Sequence, residues 1–441
     1  MPGSTQSPED DGRCGLKVDF VRAVNHIAAV TRETRIPLEI RFIRLLARRL
    51  HEYGTAAHRL ENAVTSASLR LGLHCEIFST PTSILLAFRD VDDPNSDSYG
   101  TTLIRLQPGS IDLEKLCAVD AIADDVAAGK ITLAEGADRL LEVPGTPPVA
   151  PLAGQLIAWG VVGATVASLL GSTWTDAAIA AAMAMLTGLF TLRLGARWKE
   201  AGSFEPIVAF LITVGAYGLA AAFGGGMVPN VVIGALIILM PGLDLTIAIT
   251  ELSTGHLASG TARFAGATVV LLKLALGVML GTQVMLWLGF VGDQPVDPSQ
   301  LSPGWFTWLA LFATGIAFGP LFNAHLRDWP AVVVAAVAAY ASSYFATQAF
   351  GSEIGVFLAA LTIGALSNLY ARLINRPAAV MRMPGIILLV PGSLGYRALN
   401  FLFSKNVDEG INAAISVVVV LAVLVGGLLL GNTLISPRRN L

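Results

Sequence analysis

Two stretches, Leu239-Met240-Pro241-Gly242-Leu243-Asp244 and Leu389-Val390-Pro391-Gly392-Ser393-Leu394, decide how this chain is read. Each sets a Pro-Gly dipeptide inside an apolar run long enough to cross a bilayer, which takes about 20 helical residues. Proline and glycine free backbone groups that lipid cannot satisfy, so breaks of this kind persist where they line a cavity. The dipeptides lie 150 residues apart, and Gly260 with Gly410, Ala248 with Ala398 and Leu252 with Leu402 repeat that offset. Interrupted helices at corresponding places in two halves of a chain point to a transporter's binding site.

The rest of the composition falls in two. Hydrophobic residues make up 54% of the chain and charged residues 14%, far from a soluble average. Residues 1–150 hold 16 of the 29 Lys and Arg and 21 of the 32 Asp and Glu. A break in character falls at Val143-Pro144-Gly145-Thr146-Pro147-Pro148. The expected division is a disordered segment 1–35, a soluble α+β domain 36–143, a linker 144–151, a transmembrane domain 152–432 and a tail 433–441. Met1 to Asp19 is polar and lacks the apolar core of a secretory signal. Cys14, Cys75 and Cys117 all lie in the first part, with a number and spacing that suit neither a disulfide framework nor a zinc site, so no metal is expected and a reducing, cytosolic setting is.

Within the soluble part, Ile36 to Tyr53 has the apolar spacing of an amphipathic helix, and Thr55 is placed to cap a second helix from Ala56 to Leu71. Glu76 to Arg89 and Thr101 to Leu106 read as strands with a polar turn, Asp92 to Tyr99, between them; helices follow at Asp112 to Ala128 and Thr132 to Glu142. His51, His58, His74 and Cys75 are ligand and nucleophile types, but their spacing supports no site. The basic face of Arg41, Arg44, Arg48 and Arg49 reads as a solvated helix face, with anionic lipid as its other use.

From Leu152 onward ten transmembrane helices are expected, at about 152–171, 176–195, 204–224, 227–252, 260–288, 305–323, 330–350, 353–371, 380–403 and 409–431. Lys and Arg should gather in cytoplasmic loops. With both termini inside, the inner side holds ten of these residues and the outer connections only Arg397 and Lys405, provided each Pro-Gly run counts as one crossing. Five spans then separate each element from its counterpart, which makes the all-α membrane domain a 5+5 inverted repeat with two broken helices.

Ionisable groups inside spans are costly and mark pathways. Asp244 and Glu251 are seven residues apart and share a helix face, Lys273 lies mid-span in the next helix, and the expectation is that Lys273 pairs with one of the two carboxylates. That pair is either structural or carries the coupling proton, which makes Asp244, Glu251 and Lys273 the proton-coupling candidates. His256 is expected in a solvated or capping role. A zwitterion needs donors for its carboxylate and acceptors for its ammonium, and half-helix ends at a break supply both. The substrate-binding candidates are therefore Pro241, Gly242, Thr246, Thr250, Pro391, Gly392, Ser393, Tyr396 and Asn400, with Ser253 nearby; their hydroxyls either read a substrate or bond back to their own helix.

At Pro241-Gly242-Leu243-Asp244-Leu245-Thr246, with Ile249, Glu251-Leu252, Gly255, Ser259-Gly260 and Arg263, the chain resembles the threonine/serine exporter family. Asn375-Arg376-Pro377, Pro384-Gly385 and Leu389 to Tyr396 are similar to that family's C-terminal half, and Gly54-Thr55-Ala56-Ala57-His58-Arg59-Leu60-Glu61 to its cytoplasmic domain. The resemblance covers nearly the whole chain. It implies export of threonine and serine driven by the proton-motive force across a bacterial plasma membrane; proton antiport is the expected coupling, alternating access follows from the inverted repeat, and no cofactor is expected. Asp244 stands where that pattern has a small or apolar residue, so its role rests on the charge argument alone. Expected partners are a small amino-acid substrate, protons and the lipid bilayer, with no nucleic acid and homo-oligomerisation open. The competing readings are a membrane-anchored hydrolase-like enzyme, which the absence of a Gly-x-Ser-x-Gly motif disfavours, and an exporter of another small metabolite.

Overall fold

The computed structural model describes residues 37–90, 100–200, 202–224, 226–290, 304–389, 392–403 and 406–437. The expected segment 1–35, the turn 92–99, Pro391, the side chain of Asn400 and the last residues of the tail lie outside the described residues.

The N-terminal part begins with α1 (Leu38–Glu52), whose Ile40, Phe42, Ile43, Leu46, Ala47 and Leu50 form one buried stripe. Helix α2 (Ala57–Arg70) follows, then β1 (Leu73–Thr80), β2 (Ser83–Asp90) and β3 (Gly100–Arg105), an antiparallel sheet in the order β1-β2-β3. The single strand expected over 76–89 is in fact a hairpin: Thr80 pairs with Ser83, leaving Pro81-Thr82 as a two-residue turn. The turn's local signal was weak, because Ser79-Thr80-Pro81-Thr82-Ser83 carries Pro and Ser but none of the Gly or Asn that mark a two-residue hairpin turn. Helices α3 (Leu113–Ala127) and α4 (Leu133–Glu142) close the unit, capped by Asp112 and Thr132, whose side chains accept from the backbone N–H of Lys115 and Glu135.

Twelve further helices follow: α5 (Leu152–Leu169), α6 (Trp174–Glu200), α7 (Phe204–Phe223), α8 (Val228–Leu236), α9 (Gly242–Ser253), α10 (Leu257–Trp287), α11 (Gly304–Leu321), α12 (Trp329–Phe350), α13 (Ser352–Ile374), α14 (Ala379–Ile387), α15 (Gly392–Phe403) and α16 (Val407–Leu434). Among the described residues eight spans are long and apolar enough to cross a membrane, one of them running through α14 into α15, and α8 with α9 makes a ninth if that pair, bent by 54°, is one span. Trp305–Leu321 is apolar but shorter.

The 150-residue offset governs these helices. Phe204 and Ser352, Val228 and Ala379, Gly242 and Gly392, and Leu257 and Val407 open corresponding helices within two residues of that spacing. Packing recurs with it: α7 against α10 matches α13 against α16, α9 against α10 matches α15 against α16, and α6 against α8 matches α12 against α14. Contacts between α5 and α11 and between α9 and α15 join the halves.

The N-terminal domain is docked onto this bundle through a shared apolar core, in which Phe42, Leu60 and Leu113 lie in one cluster with Phe318, Phe322, Val380 and Met383. Two helix ends make the dock specific. The N–H groups of Leu113 and Glu114, in the first turn of α3, donate to the carbonyls of Phe322 (2.9 Å) and Asn323 (3.0 Å) just beyond α11, so the open end of one helix satisfies that of another. The side chain of Asn323 donates to Asp112 (2.9 Å) and accepts from the N–H of Val149 (2.7 Å).

Candidate functional site

Pro241-Gly242 interrupts its helix, and in the second stretch Gly392 opens α15, with Val390 and Pro391 outside the described residues. Before the first, a 3-10 turn, Ile237–Leu239, runs into Met240, whose ψ of 125° takes the chain out of helix before α9 opens at Gly242. The breaks meet: a Cβ built on Gly392 would lie 3.3 Å from the Gly242 Cα and 3.4 Å from the Met240 Cβ. Such an approach of two backbones is open only to glycine. Gly242 is buried, and Thr246 and Thr250 follow it on α9. Their hydroxyls donate to the carbonyls of Gly242 (3.2 Å) and Thr246 (2.8 Å), and Ser253 donates to Ile249 (2.8 Å), so all three bond back to their own helix.

Beside the breaks lies a cavity of ≈ 450 Å³ among α7, α8, α10 and α15. Tyr396 and Arg397 reach it from α15, Asn230 from α8, and Thr282 and Gln283 from α10. Of the expected substrate residues, Tyr396 lines this cavity; Thr246, Thr250 and Ser393 do not. Asn230, Thr282 and Gln283 were missed. They are uncharged, and polar residues in a long apolar helix gain meaning only once the helix has a direction to face. Part of the equivalent region, 150 residues on, holds a buried polar cluster instead. Arg382, itself buried, donates to Ser367 (3.2 Å), Asn368 (2.8 Å) and Asn432 (2.8 Å); in the first half Val232 stands in place of Arg382, and Tyr217, Gly218 and Thr282 in place of its three partners.

The charges near α9 are arranged otherwise than expected. Lys273 pairs with Glu205 of α7, at 3.5 Å, and with neither candidate carboxylate. The cation that joins them is Arg263, one turn and a half into α10, at 3.4 Å from Asp244 and 3.3 Å from Glu251. Sequence spacing showed that Asp244 and Glu251 share a face; it could not show which neighbouring cation the α9–α10 turn would fold onto that face. Asp244 is exposed, whereas Glu251 has 0% exposure. Besides Arg263, Glu251 accepts from the Ser259 hydroxyl (2.9 Å) and, across the domain boundary, from the Ala57 N–H (2.9 Å). That last bond corrects the expected cap of α2. Ala56 holds the capping position with no side-chain bond, and a carboxylate of the membrane bundle serves the helix end in place of Thr55.

His256 does not cap α10 with its side chain either. Its Nε2 lies 3.2 Å from Glu61 of α2 and its Nδ1 3.1 Å from the Thr254 hydroxyl, and its ring stands 6.1 Å from that of His58. Burial, with Arg59 and His256 adding to it, pushes the His58 imidazole down to about 3, so it is neutral. His51 contacts the Thr80 carbonyl (3.1 Å) instead of joining the other histidines. Cys75 and Cys117 are buried free cysteines, and burial raises both thiols, Cys75 to about 11, away from nucleophilic use. No group of three or more His, Cys, Asp or Glu suited to a metal occurs among the described residues.

A family model described as a threonine/serine exporter matches residues 41–285, and a second, described as threonine/serine exporter ThrE, matches residues 307–434. Pheromone-regulated membrane protein 10 of Saccharomyces cerevisiae is 26% identical over 387 residues, covering 85% of this chain and 49% of the relative. The protein of that name from Eremothecium gossypii is 26% identical over 394 residues, covering 85% and 52%. An uncharacterized protein of Schizosaccharomyces pombe is 25% identical over 431 residues, covering 91% and 54%. The chain thus spans about half the length of these relatives. No solved structure matches it. The matched regions take in the N-terminal domain, both broken helices and the cavity beside them, and the chain belongs to the threonine/serine exporter family.

Proposed function

We propose that the protein is a secondary transporter that exports threonine and serine from the cytoplasm by proton antiport. The observation that carries this reading is the meeting of the two broken helices at Gly242 and Gly392, beside a polar cavity. In this reading the ten apolar segments are ten crossings, arranged as a 5+5 inverted repeat with both termini in the cytoplasm. The cavity lined by Tyr396 and Arg397 then faces outward, and the hydrogen-bonded cluster around Arg382 marks the closed inner side. Exchange of open and closed arrangements between the halves is alternating access.

Arg397 takes the substrate carboxylate from the cavity, and Asn230, Gln283 and Tyr396 read its polar groups. Pro241, Gly242, Pro391, Gly392 and Ser393 shape the crossing, while Thr246, Thr250 and Asn400 line the route when the inner side opens. Asp244, exposed and 3.4 Å from Arg263, carries the coupling proton. Glu251 tunes it through the shared Arg263, and Lys273 acts through Glu205 on α7.

Efflux of radiolabelled amino acids from proteoliposomes, with and without a pH gradient, tests the proposal. Threonine and serine should move faster than other small amino acids and only weakly without the gradient. Gly392→Leu should abolish movement, and Asp244→Asn should stop gradient-driven efflux while sparing exchange of internal for external substrate. Efflux that ignores the gradient, or an Asp244→Asn protein that concentrates threonine at the parent's rate, overturns the coupling.

A further inference from the structure

A second cavity, ≈ 60 Å³, lies between the N-terminal domain and the start of α14. Its floor is Pro377, Ala378, Ala379 and Met383, and its roof is the turn from α1 into α2 together with α3. Parts of two segments singled out in the sequence line it, Gly54, Thr55, Ala56 and Arg59 from one and Pro377 from the other.

Several polar side chains stand in its lining. The Tyr53 hydroxyl and the Thr55 hydroxyl are both buried without a hydrogen-bond partner among the described residues. Each such group, if left dry, costs about 1–3 kcal/mol. Thr55 is free because Glu251 has taken over the end of α2. Arg59 lines the same cavity and makes no ion pair among the described residues. Burial lowers it to about 10, so it stays cationic at neutral pH. Asp120, 3% exposed, adds a carboxylate from α3. Residues bearing two hydroxyls, a cation and an anion line one small cavity.

The floor has a counterpart. Ala378, Ala379 and Met383 stand 150 residues from Val228, Pro229 and Ile233, which line the larger cavity beside the breaks. The small cavity is thus the same place in the other half of the bundle, roofed by the N-terminal domain.

We propose that this cavity is a binding site for a small hydroxy amino acid, with Arg59 holding the carboxylate, Asp120 the ammonium, and Tyr53 and Thr55 the side-chain hydroxyl. It rests on the reading of the protein as an exporter of such amino acids, and it makes the N-terminal domain a contributor of ligand-binding side chains on the loading side. The two charges account for a zwitterion over an anion, and the two hydroxyls for serine or threonine over alanine.

The test is equilibrium binding of L-threonine to the full-length protein in detergent, carried out in a Gly392→Leu background so that the route through the breaks is blocked. Threonine should bind, with L-alanine, threonine methyl ester and N-acetylthreonine each at least tenfold weaker. Arg59→Met should weaken threonine at least tenfold, Arg59→Lys only a few-fold, and Tyr53→Phe with Thr55→Val should erase the preference over alanine. Elution profile and ligand-free unfolding temperature certify each variant's fold. Absence of threonine binding in the Gly392→Leu protein, binding untouched by Arg59→Met, or equal binding of the methyl ester overturns the site. Efflux by the parent protein judges the transport reading separately, so the two can fail independently.

Discussion

At the scale of single residues, Glu251 decides most. A wholly buried carboxylate is tolerable only if its lone pairs are used, and here Ser259, Arg263 and the Ala57 N–H use them. Glu251→Ala would leave Arg263 to Asp244 alone and uncap α2, and should lower stability by about 2 kcal/mol. Glu251→Gln keeps an acceptor for Ala57 and should lose less. Unfolding midpoints of the two variants decide this, and equal midpoints would remove Glu251 from the dock. His58 makes the same boundary sensitive to acid. Its folded value, about 3, lies below the ordinary 6.5, so between those limits the unfolded chain takes up a proton that the folded chain refuses. Stability is therefore fully present above about pH 6.5 and falls as pH drops toward 3, by at most about 1.4 kcal/mol per unit. His58→Gln should flatten the slope of unfolding temperature between pH 6.5 and 4.5; an unchanged slope assigns it elsewhere. The sequence placed Asp244 and Glu251 on one face, and the structure agrees through their shared Arg263. It could not assign Lys273 to Glu205, because that partner lies 68 residues away and only helix packing brings it near.

Among the elements, the long helices pack through matched glycines. A Cβ on Gly277 would lie 2.3 Å from the Pro206 carbonyl oxygen, and one on Gly427, at the same place in the other half, 2.4 Å from that of Phe357. Gly281 and Gly431 repeat the pattern one turn on, against the carbonyls of Phe210 (3.0 Å) and Leu361 (2.7 Å). In a bilayer such small residues let helix backbones approach and supply most of the packing attraction. Gly277→Leu and Gly427→Leu should each push a helix pair apart and cost about 1–3 kcal/mol, occasionally more. Detergent stability of the two should fall alike if the halves are equivalent; loss in one alone would count against that equivalence. The helices were legible beforehand because apolar runs announce themselves. The β1–β2 hairpin and the end of α2 were not, since a turn without Gly or Asn and a cap donated by another domain leave little local trace.

For the whole molecule, the open cavity and the docked N-terminal domain should lie on opposite faces of the membrane if the halves are inverted. With Cys14, Cys75 and Cys117 replaced, Gln283→Cys should react with an impermeant maleimide from the face away from the N-terminus, and Met383→Cys should resist it from either face. Labelling of Gln283→Cys only from the N-terminal side would reject the inverted arrangement. The sequence by itself determined the membrane class, the helix break at Pro241-Gly242 and the 150-residue spacing at which several helices open, because each is written in local composition and fixed spacing. The tertiary structure alone decided that Gly392 rests on Gly242, that Arg263 and not Lys273 joins the two carboxylates, and that the N-terminal domain seats its helix ends on the bundle. Contacts of that kind join residues far apart in the chain. Their partners are chosen by how helices pack and which buried polar groups must be satisfied, a condition no single stretch of sequence carries.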